Sequence, residues 1–426
     1  MNMIERGREF VESLRALGRR SLWEWRRCPR CGSTDTWRHG CYERHVWFLS
    51  GRRVVRVQRH RCLSCERGYS EASPWLVRGS WYAREVHRCA VDHWQHTGSS
   101  LRRTAEWLRS LLGHQERWAI WHPWQVGAPT CFLAATTVER WLDHAGRTAQ
   151  QTVVGQLRGV AISRQVGSDG LWARLRGGQK RVVLAVVDYV SGVMWPPVVV
   201  AAEECEESWQ RLFERARKAG LLLNTLRGLT SDGCWGLLAC LRRNLAWVNH
   251  QRCVWHLWRS LGPAQARGAA QAALGLAGDA AKSAREAARQ ELGALVHAVL
   301  DASTHAQAEL NLARLLAHPF GKELGASLGQ QLDAALVHLL DYNRRLTRVA
   351  PEWYWRDFRL RLSRGRNHSS DRRLERAALV WAIYRNFTPA QWRSERKRHY
   401  RRPGQSPLTA AGTSIDGVSY LDALCI

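Results

Sequence analysis

The chain has 426 residues, more than one hydrophobic core usually organises, so it should divide into several modules. With 64 Lys and Arg against 37 Asp and Glu, its formal charge is +27 and its sequence pI about 10.7, which implies a polyanionic partner: DNA, RNA or an anionic surface. No apolar run is long enough to span a bilayer, because residues 182–202 are interrupted by Asp188, Pro196 and Pro197, and residues 1–20 read as a charged amphipathic helix without a signal core, so a cytoplasmic protein is expected.

After the helix of residues 1–25 comes a module at 26–75 with two Cys-x-x-Cys pairs, Cys28/Cys31 and Cys62/Cys65, around an alternating stretch that includes Val54, Val55 and Val57. Four thiolates in two knuckles satisfy one tetrahedral Zn2+, and so small a ribbon would take its folding energy from the metal. A redox pair would need a βαβ setting, and disulfides would fit an exported protein. His39 and Cys41, between the knuckles, read as bystanders.

Residues 80–150 carry two helical stretches, 99–108 and 135–142. In the second, Val138, Trp141 and Leu142 form an apolar face, leaving Thr136, Thr137, Glu139 and Arg140 outward for a DNA groove. The linking residues 111–132 exceed a minimal helix-turn-helix turn, and a plain helical bundle fits as well.

Residues 156–262 alternate like an α/β sheet: strands at 158–166, 181–187 and 193–202, a helix at 208–220, and a short strand at 226–231. Asp169 is expected where the first strand breaks into Gly167-Ser168-Asp169-Gly170, and Asp232 at the carboxyl end of the last, where α/β sheets place ligands. Taken singly, each Asp is ordinary turn chemistry. Cys253 and His256, at helical i, i+3 spacing, read either as a pair supporting the site or as a packed thiol beside a satisfied imidazole.

Residues 263–346, rich in Ala and Leu, read as an all-helical insertion, in which 268–288 also fits a surface hairpin without a DNA role. Glu352 then opens a basic helix carrying Arg356 and Arg359 within a segment at 347–392, with Glu375 as the reserve acid. The order Asp169, Asp232, Glu352 is what a two-metal phosphoryl-transfer site for nucleic acid needs, because Mg2+, or Mn2+, takes hard oxygen ligands and paired ions steady the attacking and leaving oxygens. Of the 23 tryptophans many adjoin arginine, a combination that stacks on unpaired bases or simply packs in a core; Trp353 and Trp355 are the two expected near DNA. A basic tail at 393–426 is expected to order on DNA.

Together these features resemble a bacterial DDE-type insertion-sequence transposase, most similar to the zinc-ribbon ISL-three family. The resemblance rests on the paired Cys motifs, the helical region, the Asp/Asp/Glu order, the Cys253-x-x-His256 pair, the segment Trp381-Ala382-Ile383-Tyr384-Arg385-Asn386-Phe387, and the closing Pro407-Leu408-Thr409-Ala410-Ala411-Gly412. The chain departs from it in Arg348-Val349-Ala350-Pro351 before Glu352, where the family commonly has a Thr-Asn-Asn type approach. The resemblance implies an α/β, ribonuclease-H-like mixed sheet with a helical insertion, preceded by a zinc ribbon and a helix-turn-helix DNA-binding region. It further implies binding of terminal inverted repeats and target DNA by a homodimer or larger assembly at the bacterial nucleoid, and metal-dependent cleavage and strand transfer. An inactive transposase-derived regulator and a nuclease of the same fold that does not join strands are the alternatives.

Overall fold

In the computed structural model, residues 27–71, 73–113, 133–160, 163–201, 204–340, 355, 356, 358, 359, 361, 362, 368–389 and 404–426 are described. Three apolar clusters organise them: a small one under the amino-terminal ribbon, a large one through the sheet and its helices, and a third inside a helical module. Each has its own physical origin in the sequence.

The ribbon pairs β1 (Thr36–Phe48) antiparallel with β2 (Gly51–Cys62), with a bulge between Arg38 and Cys41, and adds the short β3 (Gly68–Ser70) to β2. Alternation sends Val46 and Val57 inward against Leu76 and Ala83, while most arginines stay outside. Four buried apolar side chains bury too little area to hold a ribbon of this length alone. The following segment is tied back across β1, with Trp47 N donating to Trp81 O and Ala83 N to Trp47 O, both at 2.8 Å.

Helix α1 (Arg84–Thr97) stops at Gly98 in the left-handed region (φ 62°), and α2 (Leu101–Leu111) starts at Ser100, whose hydroxyl accepts from Arg103 N. α3 (Ala135–Leu157) runs 15 residues beyond the predicted 135–142, because Ala145, Ala149, Val153 and Leu157 continue its buried stripe at i+4 spacing. It ends just before the residues expected to open the first strand at 158, Gly159 (φ 80°) turns the chain out of the helix, and the strand itself begins only at Gln165 rather than at 158.

The sheet has the order β6-β5-β4-β7-β8. β4 (Gln165–Arg174), β5 (Lys180–Asp188) and β6 (Val198–Val200) are antiparallel neighbours, whereas β7 (Gly228–Ser231) lies parallel to β4 and β8 (Asn249–Arg252) parallel to β7. Of the predicted 193–202 strand only three residues pair regularly, since Pro196 and Pro197 cannot donate to a ladder. α4 (Glu206–Lys218) and α5 (Trp235–Asn244) supply the crossovers. Asp188 closes the β5 turn as a structural acid, accepting from the amides and hydroxyls of Ser163 and Ser191 at 2.7–2.8 Å.

α11 (Asp371–Phe387) is buried almost all round, a helix enclosed by its domain. Arg376 pairs with Asp143 at 2.6 Å and Arg373 with Glu139 at 2.9 Å, binding it to α3, while Asn386 bonds both backbone atoms of Met194. The placement of Trp355 near DNA is corrected: it is 1% exposed and joins Phe358, which stacks on Trp381. Residues 355 and 358 lie at i, i+3 and form a core stripe.

The helical module contains α6 (Val254–Ala272), α7 (Gly278–Leu300), α8 (His305–Ala317), α9 (Lys322–Gly329) and α10 (Leu332–Ala335) around Leu257, Leu261, Leu292, Val296, Leu315 and Leu324. Residue 263, the predicted start of the insertion, lies inside α6, which begins straight after β8. A tail ordered only on DNA is also corrected for residues 404–426. Leu408, Tyr420, Leu424 and Ile426 are buried, and Arg88–Asp422 (2.9 Å), Tyr420–Asp92 (2.7 Å) and Gln156–Ala423 (2.7 Å) bonds fasten this segment to α1 and α3. Apolar residues, sparse but regularly spaced, outweigh the basic composition there.

Gly146 brings α3 against Arg376 so closely that a side chain at 146 would meet Arg376 Cβ, whereas Gly155 on the same helix faces open space. Gly146→Ala should destabilise by about 1–3 kcal/mol through overpacking. Gly155→Ala should stabilise by about 0.5–1 kcal/mol from helix propensity. Thermal unfolding of the two variants reads the opposite signs; equal shifts would contradict the α3–α11 contact.

Candidate metal ribbon and carboxylate site

The four ribbon cysteines converge. Cys28 Sγ lies 3.6 Å from Cys65 Sγ and Cys31 Sγ 3.5 Å from Cys62 Sγ, and all four sulfurs fall within 4.8 Å of one another. Tetrahedral zinc with bonds of about 2.3 Å needs sulfurs about 3.8 Å apart, so this donor set fits. Each knuckle turns just after its second cysteine through a positive φ, at Gly32 (75°) and at Glu66 (56°), the latter a conformation a non-glycine residue holds only when its surroundings fix it. Backbone amides of Cys31 and Arg30 lower the Cys28 thiol to about 6, while the neighbouring sulfurs push Cys31 up, so the cluster releases its first proton at Cys28. Among the described residues no other group of three or more His, Cys, Asp or Glu ligand atoms gathers as closely.

The second candidate centre lies in the sheet. Asp169 is not at a strand end as predicted: it sits in mid-β4, opposite Ala185 of β5, and is 4% exposed. Gly170 beside it, read as turn chemistry, serves close packing instead. A Cβ on Gly170 would come within 2.9 Å of Glu204 Oε1 and 3.0 Å of Val182 Cγ1. The parallel register pairs Gln165 with Gly228, Val166 with Leu229 and Gly167 with Thr230, where the ladder ends; the same offset carried two positions further would set Asp169 abreast of Asp232. Asp232 does follow the last residue of β7, and its Oδ1 accepts from Cys234 N at 3.0 Å.

The turn that carries Asp232 is fixed from both sides. Ser231 Oγ and His250 Nε2 are 2.8 Å apart, and Cys253 N donates to Ser231 O at 2.7 Å. Cys253 is a buried residue at the start of α6, and His256 in the first turn is half-buried with its ring edge-on to Trp255. Burial, reinforced by Arg252, lowers His250 to about 4, which keeps it neutral beside the serine. Two neighbours were not anticipated. The Glu204 carboxyl is pushed up by burial and then by the nearby charge of Asp232, and Arg252 Nη1 donates to Gly233 O at 3.3 Å. The acidic run Glu203-Glu204-Cys205-Glu206-Glu207, unusual in so basic a chain, was the available signal for the first.

Glu352 and Trp353 lie outside the described residues. Glu375 is engaged by Arg215 and, at 3.6 Å, by Arg211 of α4. Arg356 and Arg359 are exposed beside the buried Trp355 and Phe358. On α3, Thr136 and Arg140 are exposed and Thr137 is half-buried, with Arg140 Nη2 3.4 Å from Thr137 Oγ1.

The architecture is that of a mixed α/β protein with, at its head, a ribbon whose four clustered thiols could hold a metal, and a helical module following the last sheet strand. Residues 196–309 match the family described as Transposase, Mutator family. The matched span includes Asp232, Cys253 and His256, and it supports a transposase with DNA as its partner. It differs from the ISL-three family that the sequence features resembled. No curated protein matches the chain. No described helix is long and apolar enough to cross a membrane.

Purified protein should carry one zinc per chain by elemental analysis, and Cys28→Ser or Cys62→Ser should lower this to near zero with loss of ribbon protection in hydrogen exchange. Full metal loading of both variants would remove the four-thiolate site.

Proposed function

We propose that the protein is a DDE transposase that binds the ends of an insertion sequence and catalyses DNA cleavage and strand transfer on a ribonuclease-H-like domain. The observation that carries this reading is the parallel pairing of β4 with β7 in a sheet whose other half is antiparallel; its register, carried two positions past the last pair, would bring Asp169 level with Asp232. The family match over 196–309 supports it from an independent direction.

Asp169 and Asp232, with Glu352 as the third acid, would hold two magnesium or manganese ions. When bound, such ions acidify water or a 3′ hydroxyl and offset charge on the phosphodiester. The protein's own part is positional. The β4–β7 pairing sets the carboxylate spacing, Ser231, His250 and the Cys253 amide hold the turn of Asp232, and the surrounding arginines neutralise phosphates. The ribbon, with Zn2+ on Cys28, Cys31, Cys62 and Cys65, and the helical region with Thr136, Thr137 and Arg140 would select the end; Arg356 and Arg359 would contact DNA beside the third acid. Two protomers are the least number that can hold two ends. The modules proposed from the sequence, with catalytic parts at 156–262 and 347–392 around the insertion 263–346, follow this division of labour, as does a location at the nucleoid.

Asp169→Asn and Asp232→Asn should each lower magnesium-dependent cleavage of terminal-repeat DNA by about a thousandfold or more, several kcal/mol of transition-state stabilisation at 1.36 kcal/mol per tenfold, while leaving end binding intact. No cleavage by the parent protein would make it a regulator, and cleavage without joining to supercoiled target would make it a nuclease. Binding should weaken with salt at a log-log slope of about −0.9 per phosphate contacted.

A further inference from the structure

A groove of about 1560 Å³ opens between the metal ribbon and the start of the helical region. Its lining is strongly cationic: Arg27, Arg30, Arg44, Arg67, Arg78 and Arg84 against Glu43 and Glu71. Two of the six arginines have structural work. Arg44 holds the carbonyls of Val77 and Ser80, and Arg84 those of Pro74 and Cys425. The guanidinium groups of Arg30, Arg67 and Arg78 are exposed and make no ion pair or hydrogen bond among the described residues. They come from three different places in the chain, one from the first knuckle, one from just after the second, and one from the segment that crosses β1.

Trp81 also lines this groove, with 56% of its surface exposed. A large apolar ring left in water is informative when its backbone is immobilised, and here Trp81 O accepts from Trp47 N at 2.8 Å while the next residues are clasped by β1. The indole is thus presented by a fixed peptide rather than by a loose loop. Gly79 (φ 70°) makes the tight turn that brings Arg78 and Trp81 to the same mouth.

We propose that this groove holds an unpaired DNA strand, with Arg30, Arg67 and Arg78 on its phosphates and Trp81 stacked on a base. The inference rests on the DNA-processing reading above and adds to it a place where an end is held open. The volume exceeds the 300–1,000 Å³ typical of small-molecule sites and is far below the bulk of a turn of duplex, which points to a few nucleotides of single strand. A cationic groove with an aromatic platform is the arrangement that binds single strands without reading sequence.

Fluorescence anisotropy, without added magnesium, would compare a labelled single strand, a blunt duplex and a duplex with a single-stranded overhang. The parent protein should prefer the overhang to the blunt duplex. Trp81→Ala should weaken overhang and single-strand binding by about fivefold or more while sparing the blunt duplex, and Trp81→Phe should keep most of the affinity. The combined Arg30→Ala, Arg67→Ala and Arg78→Ala variant should flatten the single-strand salt slope by about two units. Zinc content checks that the ribbon stays folded. An unchanged overhang affinity in Trp81→Ala, or a parent preference for blunt duplex, overturns the proposal. Aspartate-dependent cleavage with no Trp81 effect would remove only the groove, and Trp81-dependent binding without cleavage would remove only the enzymatic reading.

Discussion

The parallel pairing of β4 with β7 is the constraint on which the sheet's candidate chemistry depends. The three paired rungs fix an offset of 63 positions between the two strands, and it is this offset, carried two positions further, that would set the proposed carboxylates at 169 and 232 side by side. Parallel neighbours need a crossover, and here the path from β4 to β7 runs through β5, β6 and α4 before returning. Anything that slipped the register by one residue would send one carboxylate to the other face of the sheet. The packed valines of β5, inserted between α4 and the far side of the core, make such a slip costly.

β5 and β6 were legible because their signal is local, runs of Val and Leu bounded by Gly, Pro and Asp, whereas the first strand, expected at 158–166, lies at Gln165–Arg174. The position of Asp169 within its strand was not legible. Gly167, Ser168 and Gly170 carry the same residue types as a turn, and only the closeness of Glu204 and Val182 to Gly170 reveals that small size is required by packing. Likewise, the extra length of α3 follows from an alanine stripe whose value depends on α11, more than 200 residues later, lying against it. The four clustered cysteines were legible for the opposite reason. Their chemistry is confined to two short knuckles, and the long hairpin between them has only to bring the knuckles together. Trp355 and the 404–426 segment misled because aromatic and basic residues were weighed by composition, when a few apolar positions at regular spacing decide burial.

Arginine is used in two distinct ways across the molecule. Arg376, Arg373, Arg88 and Arg215 pair with acids on other elements and hold α11, the carboxyl-terminal segment and α4 in place. Such partly buried pairs specify which helix faces meet, even where their net stabilisation is small. The formal excess of 27 positive charges is what a phosphate backbone would meet. The same composition therefore serves the fold and the partner, and spatial pairing separates the two.

A similar separation distinguishes the aspartates. Asp188 also ends an apolar strand, so a pattern of strand-terminal acids counts it beside Asp232. Its two oxygens take four hydrogen bonds from Ser163 and Ser191, which exhausts their practical capacity and compensates burial. Among the described residues Asp232 accepts one hydrogen bond, from Cys234 N, and it stands within electrostatic reach of Glu204, whose proton affinity burial and then this charge raise. An acid held by a rigid turn, short of donors and crowded by a like charge gains from a cation, whereas one saturated by hydroxyls and amides does not. On that ground the acid at 188 belongs to the fold and the acid at 232 is the one proposed for the chemistry, a distinction that hydrogen bonding makes and residue type does not.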